Sequence, residues 1–338
     1  MIRKIAAVLA MGSALAAQAA PVAFNFVYQD AAGVGFNDAT LGADRKAALI
    51  LAGQTWGSLL TASYAGETIN IGVNFTGATT SLSPLATSSA GNTIFANAGL
   101  DNKGVANRSY LAPLAEHLAG RNLDGSSIDF SMTFNLNVPT YLGLDGNPGA
   151  AQFDFETYAL RGIARSLGFH TRIYAGVSPH PTDGAMQGGF YRQYDPATNS
   201  YPRMAGIYDS FVVDGNGTSL LAMTDAQRVT ALTSGSLYWT GAQAVTANGG
   251  SLVKLNSMPA NADGTINGSA EIYLDASLNS FMSNPPIAGV SRPIDSVTLG
   301  MLADIGWNVT AVPEPSSYAM LLAGLGLIGF TARRRQRS

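Results

Sequence analysis

Arg161 and Arg165 stand four residues apart in the segment DFETYALRGIARSLGFHT, residues 154–171. On a helix, side chains at i and i+4 are neighbours. A pair of guanidinium forks there suits carboxylate, sulfate or phosphate, as in an acidic sugar or a carboxyl-terminated peptide. Histidine chemistry is capped at three residues, His117, His170 and His180, and there is no cysteine. His170, His180, Asp183 and Glu156 are the nearest pool for a metal site, although no ligand spacing joins them. His117, inside Glu116-His117-Leu118, reads as a partly exposed structural histidine on a helix. No G-x-S-x-G elbow occurs, so serine hydrolysis has no local signature. No glycine-rich phosphate loop ends in lysine. Asp214-Gly215-Asn216-Gly217 and Asn261-Ala262-Asp263-Gly264 look like calcium-loop fragments, but neither has the downstream bidentate Glu of an EF-hand. They read as turns, and a structural calcium is the one cofactor they are compatible with.

The elements that must position these residues are legible in part. Asp154 is placed to cap a helix over 155–167, with Phe155, Ala159, Ile163 and Leu167 on one stripe and Gly168 just past the end. The arginine pair falls on another face and reads as exposed. Residues 44–60 read as a helix capped by Asp44, with Ala48, Leu51, Thr55 and Leu59 sharing a face. Period-two alternation marks strands near 24–28, at 68–75 and at 127–136. Thr224 to Gln227 is a capping box that starts a helix ended by Gly235. Asp295 caps a last helix running toward Gly306. The strands look antiparallel and are mixed with helices without βαβ regularity, so the fold class is α+β.

Composition sets the context. The chain has 338 residues, 46% apolar and only 12% charged, which excludes a disordered chain. Without cysteine it is not a disulfide scaffold or a thiolate metal protein. A net charge of −3 excludes a generic nucleic-acid binder. The ends carry the positive charge. Arg3 and Lys4 precede an apolar run from Ile5 to Ala17, and Ala17-Gln18-Ala19 fits signal peptidase, so residues 1–19 read as a secretory signal cut before Ala20. At the other end, Pro313-Glu314-Pro315 cannot lie inside a helix. An uncharged stretch follows over 316–332, at the short limit for a membrane span, and then Arg333, Arg334, Arg335 and Arg337. Without these two ends the body, residues 20–311, keeps 13 basic and 21 acidic residues, a net charge of −8. A strongly acidic body favours solubility and disfavours nonspecific adhesion to anionic polymers.

Two resemblances rest on these residues. Val312 to Ser338 closely resembles the PEP-CTERM sorting signal of Gram-negative bacteria. That resemblance implies an exosortase-type sorting enzyme, transient insertion in the inner membrane, cleavage near Pro313-Glu314-Pro315, and release to the surface or the exopolysaccharide matrix. The body resembles secreted zincin metalloproteases, in the metzincin-like form with a mixed sheet. The segment at 154–171 looks like their active-site helix, A-L-H-E-I-G-H-A-L-G-F, with Ala159-Leu160, Ile163 and Leu167-Gly168-Phe169 matching. Trp56 on the 44–60 helix, Asn279-Ser280-Phe281-Met282 as a Met-turn and Leu302 to Trp307 as a closing helix extend it in the same order.

The catalytic positions depart from that pattern. The first zinc His falls on Arg161, the general-base Glu on Gly162, the second His on Arg165 and the third on Thr171. Arg stays protonated and repels a cation, and Gly has no side chain to act as a base. The resemblance therefore implies a pseudoenzyme with no catalytic residue, acting as a structural or binding protein at the surface or in the exopolysaccharide. Arg161 and Arg165 are its ligand-binding candidates. Two alternatives stay open. One is an active zinc metalloprotease rearranged around His170 and His180. The other is a matrix protein of unrelated β-rich fold, which a long helix at 155–167 beneath a mixed sheet would disfavour.

Overall fold

A computed structural model describes residues 20–78, 85–90, 94–101, 103–125, 128–176, 184–258, 273–283 and 287–310, with single positions between 260 and 266. The expected signal segment 1–19, the segment 312–338 with the expected span at 316–332, and His180 and Asp183 lie outside the described residues. No helix among the described residues is long and apolar enough to cross a membrane.

The first strand, β1 (Ala23–Tyr28), leads into helix α1 (Gly42–Leu59) and then β2 (Thr68–Thr76). β3 (Leu85–Ala90), β4 (Ile94–Ala96), β5 (Arg108–Leu111) and α2 (Ala112–Ala119) follow, before β6 (Phe130–Asn135). The main sheet runs β1-β2-β6-β3. β1 and β2 are parallel, Ala23 opposite Thr68, and β2 and β6 are parallel, Ile71 opposite Phe130. Only β3 runs antiparallel. The antiparallel strands expected from sequence are thus corrected to a mixed sheet that is parallel over three of its four strands. β1-α1-β2 is a crossover unit, and such a unit is what lets neighbouring strands run parallel.

β2 shows why. Ile69, Ile71, Val73 and Phe75 alternate onto one buried face, as do Phe130, Met132 and Phe134 of β6. Helix α3 (Phe155–Ser166), which follows the short strands β7 (Thr140–Tyr141) and β8 (Phe153–Asp154), lies against both α1 and β3. Phe36, Phe75, Phe134 and Phe155 pack where helix and sheet meet, with ring centroids 4.8–6.3 Å apart. The buried face of α1 is Ala48, Leu49, Ala52, Gly53, Trp56 and Gly57. That stripe is rotated one position from the expected one, and Leu51, Thr55 and Leu59 are only half-buried. The glycines explain the rotation. A Cβ on Gly53 would lie 2.9 Å from Phe26, and one on Gly57 2.8 Å from the Val22 carbonyl, so α1 turns its small residues onto β1.

The second half is built from smaller pieces. β9 (Ala205–Gly206) joins a three-stranded sheet in the order β4-β5-β9. β10 (Val212–Asp214), β11 (Leu237–Trp239) and β12 (Val253–Leu255) form another, antiparallel sheet. The helices here are α4 (Asp225–Thr233), α5 (Ala242–Ala247) and α6 (Ser296–Ile305). α4 opens with the full capping box at Thr224 and Gln227, and α6 with the Asp295 cap on the Thr298 N–H.

The two ends of the body meet. The Val22 N–H donates to the Leu60 carbonyl and the Ala62 N–H to that of Ala20. From the other end, the Thr61 N–H donates to the Asn308 carbonyl and the Thr310 N–H to that of Leu59. Residues 59–62 are therefore bonded on one side to the start of the body and on the other to its last described residues.

Candidate functional site

α3 starts where the sequence says it should. The Asp154 carboxylate accepts from the Thr157 N–H at 3.3 Å and from its hydroxyl at 2.6 Å. The helix ends before Gly168, whose φ is +114°. A side chain at Gly168 would also collide with Ile305, only 2.8 Å away. Every residue from Thr157 to Ser166 is buried. Two indoles hold the helix from outside: Trp56 Nε1 donates to the Leu160 carbonyl at 2.9 Å, and Trp307 Nε1 to that of Leu167 at 2.6 Å.

The expected exposed basic pair is corrected by this enclosure. Arg161 is 5% and Arg165 7% exposed. Arg161 Nη1 donates to the Phe281 carbonyl at 2.9 Å and to the Ser283 carbonyl at 2.8 Å. Its guanidinium stands 5.1 Å from the Tyr273 ring centre. Burial and the neighbouring Arg292 and Arg165 lower its proton affinity, while Tyr273 and Tyr158 raise it. The turn it grips is built for the purpose. Asn279 takes the left-handed conformation, φ +45°. The Asp295 carboxylate accepts from the Phe281 N–H at 2.6 Å and from the Ser280 hydroxyl. Met282 is fully buried.

The remaining positions of the motif are enclosed too. Gly162 is buried on α3. Thr171, 1% exposed, donates its hydroxyl to Asp209 Oδ1 at 2.5 Å. The other oxygen of Asp209 accepts from the Arg172 N–H at 3.0 Å and the Gly206 N–H at 2.9 Å. Asp209 is wholly buried, and burial pushes its carboxyl above the usual range, against those hydrogen bonds and the Arg172 charge, which pull it down.

A catalytic zinc does not fit this donor set. The chain offers a buried cation, a glycine, a second buried arginine and a hydroxyl already bonded to a carboxylate. The oxygens facing Arg161 are backbone carbonyls committed to it. No catalytic step is available through these groups.

His170 follows α3 beside Arg165 and Arg172. Burial, and then those two charges, push its imidazole down to about 3. It lines a crevice of about 10 Å³ with Ser109, Leu114 and Tyr208, room for one water at most. A histidine kept neutral in the fold but ionised in the unfolded chain makes stability fall as pH drops below about 6.5. At pH 5 the cost is about 2 kcal/mol. Urea unfolding of His170→Gln should show a correspondingly shallower loss between pH 7 and pH 5 than the parent chain; parallel slopes would show that His170 is already protonated in the fold.

His117 is buried, not partly exposed. Its Nδ1 lies 2.8 Å from Glu67 Oε1, its Nε2 accepts from the Asn308 N–H at 3.3 Å, and its ring lies 4.4 Å from that of Trp307. It is a structural joint between α2, the loop before β2 and the C-terminal segment. The Asp214 turn uses its own carboxylate, which accepts from the Asn216 and Thr218 N–H groups at 2.9 and 2.8 Å. That turn borders an open groove of about 580 Å³, with Met223, Gln227 and Ser236 on its walls.

One cluster escaped the sequence reading: the carboxylates of Glu116, Asp124 and Asp129 converge at the end of α2. The available signal was three acids within fourteen residues around a helix end, and it was passed over because their spacing matches no ligand motif.

No curated protein and no solved structure matches the chain. Residues 311–335 match the family model of the PEP-CTERM protein-sorting motif. That motif agrees with the reading of the tail and takes in only the last residue, 311, of the body. The tail carries the PEP-CTERM sorting motif, which indicates a protein sorted by an exosortase-type enzyme to the cell surface.

Proposed function

We propose that the exported body is a zincin-like pseudoenzyme, a structural or binding protein of the cell surface or exopolysaccharide. The observation that carries this reading is Arg161. It stands where the resemblance puts the first zinc ligand, and it is buried and bonded to the carbonyls of the turn that resembles the Met-turn. A guanidinium in that place supplies from within the chain a positive charge that a metalloprotease takes from its metal. The fold is consistent with this origin, since a capped helix at 155–166 packs beneath a mixed sheet with one antiparallel edge. That arrangement also disfavours the unrelated β-rich alternative.

Two measurements test the reading. Metal analysis of the purified chain after dialysis should find no stoichiometric zinc, and a casein assay should find no chelator-sensitive proteolysis. Bound zinc with such proteolysis would return the protein to the active metalloproteases. For the sorting half, replacing Pro313, Glu314 and Pro315 together by alanine should stop tail processing. The full-length form then accumulates in the inner-membrane fraction and disappears from the surface fraction. Normal surface display of that variant would show that the motif is not what sorts the chain.

A further inference from the structure

The acidic cluster at the end of α2 has a geometry that the proposed function does not use. Glu116 lies in the last turn of α2, and Asp124 and Asp129 in the loop that leads from α2 to β6. One carboxylate oxygen from each lies within 4.8 Å of the others. Glu116 is 3% and Asp129 2% exposed. Glu116 Oε1 accepts from the Leu123 N–H at 3.0 Å. Asp129 Oδ2 accepts from the Asn70 N–H at 2.8 Å, whereas its Oδ1 is buried with no hydrogen-bond partner.

Such an arrangement is unfavourable as it stands. A buried carboxylate oxygen without a donor costs desolvation energy, and like charges in one buried site repel. Two basic side chains at this end of α2 are engaged elsewhere: Arg121 pairs with Asp101, and Lys103 donates to the Ala119 carbonyl. Among the described residues no lysine or arginine forms an ion pair with Glu116 or Asp129. The effect reaches their neighbours. Burial and the charges of Glu116, Glu67 and Asp129 push the Tyr64 phenol up to about 12.

We propose that Glu116, Asp124 and Asp129 bind a calcium ion, which fastens the loop between α2 and β6 to the end of α2. The donor set is all oxygen, with no sulfur or imidazole in it, which selects a hard cation. Calcium holds oxygens at about 2.4 Å, so its ligands lie on a sphere about 4.8 Å across, and three oxygens within 4.8 Å of one another fit such a shell. Magnesium, at about 2.0–2.1 Å with strict octahedral geometry, fits it less well. A cation held there also compensates the buried charge of Asp129, whose Oδ1 has no hydrogen-bond donor. An exported protein meets calcium only after leaving the cytoplasm, so this fastening closes outside the cell. The proposal is independent of the pseudoenzyme reading and needs only exposure to an extracellular calcium concentration.

The test uses the full chain, stripped with EDTA and dialysed. Calorimetric titration with calcium chloride should show one saturable site with Kd of about 10⁻⁴–10⁻³ M, as in extracellular calcium modules. Calcium at a concentration of about 10 mM should raise the unfolding temperature by about 3–8 °C, and magnesium at that concentration by clearly less. Asp129→Asn should abolish the calcium-dependent shift while unfolding in EDTA at or above the parent temperature, because a buried anion has gone. If that variant fails to fold, Glu116→Gln carries the same expectation. Asp214→Asn, in the turn that resembles a calcium-loop fragment, should leave the shift intact. Absence of saturable binding, an equal shift with magnesium, a shift that survives Asp129→Asn and Glu116→Gln, or one abolished by Asp214→Asn would each overturn the proposal.

Discussion

Arg161→Ala should destabilise the body by about 3–5 kcal/mol, the cost of breaking a buried charged hydrogen-bond network. The Phe281 and Ser283 carbonyls lose their donor, and each buried orphan costs about 1–3 kcal/mol. The truncation also opens a cavity beside Tyr273 that the rigid turn cannot fill. The relief of no longer burying a cation works against this, but the carbonyls stay behind whichever residue replaces the arginine. Thermal unfolding should show a drop of about 10 °C. Arg161→Lys should fall between the two, since an ammonium keeps the charge but lacks the planar fork. An alanine variant as stable as the parent would mean that the guanidinium does not hold the 279–283 turn, and the argument for a charge replacing a metal would go with it.

Asp209→Ala should cost a similar amount, about 3–5 kcal/mol, by a different route. Three donors converge on that carboxylate: the Thr171 hydroxyl and the N–H groups of Arg172 and Gly206. All three lose their acceptor at once, at a fully buried position. Asp209→Asn keeps one oxygen but turns an amide NH₂ toward the donors, so it should recover only part of the loss, leaving about 2 kcal/mol. Denaturant midpoints for the two variants check the order. An asparagine variant equal to the parent would show that the buried carboxyl is protonated in the fold and donates one of these bonds itself.

The sequence was most legible where a side chain acts on its own neighbourhood. The Asp154, Thr224 and Asp295 caps are local bonds to the backbone three residues on, and those three helices begin where their caps say. β1 and β2 followed from alternation for the same reason. Asp44 is no cap, since α1 starts two residues earlier, at Gly42, with Leu41 before it. The parallel pairing was not legible, because alternation says which face a strand buries and not which strand lies beside it. The face of α1 came out one position off, since close approach to β1, not hydrophobicity, decides which residues turn inward. Arg161 and Arg165 read as exposed because a polar i,i+4 pair on a helix normally faces water. What buries Arg161 comes from 120 and 122 positions further along the chain, and nothing in the spacing announces it. The acidic cluster was hidden by its distribution, one acid on a helix and two on a loop.

The meeting of the two ends of the body at residues 59–62 has a mechanical meaning. The sorting motif begins at residue 311, directly after Thr310, whose N–H is bonded to Leu59. A force applied at Thr310 passes through the 308–310 pairing into α1 and the segment that starts at Ala20. Ala20 and Thr310 therefore sit at one corner of the body, on either side of residues 59–62. The order of synthesis matters as well: residues 59–62 can pair with the start of the body early, but Leu59 and Thr61 gain their partners in 308–310 only when the last stretch of chain ahead of the motif has been made, so that corner closes last.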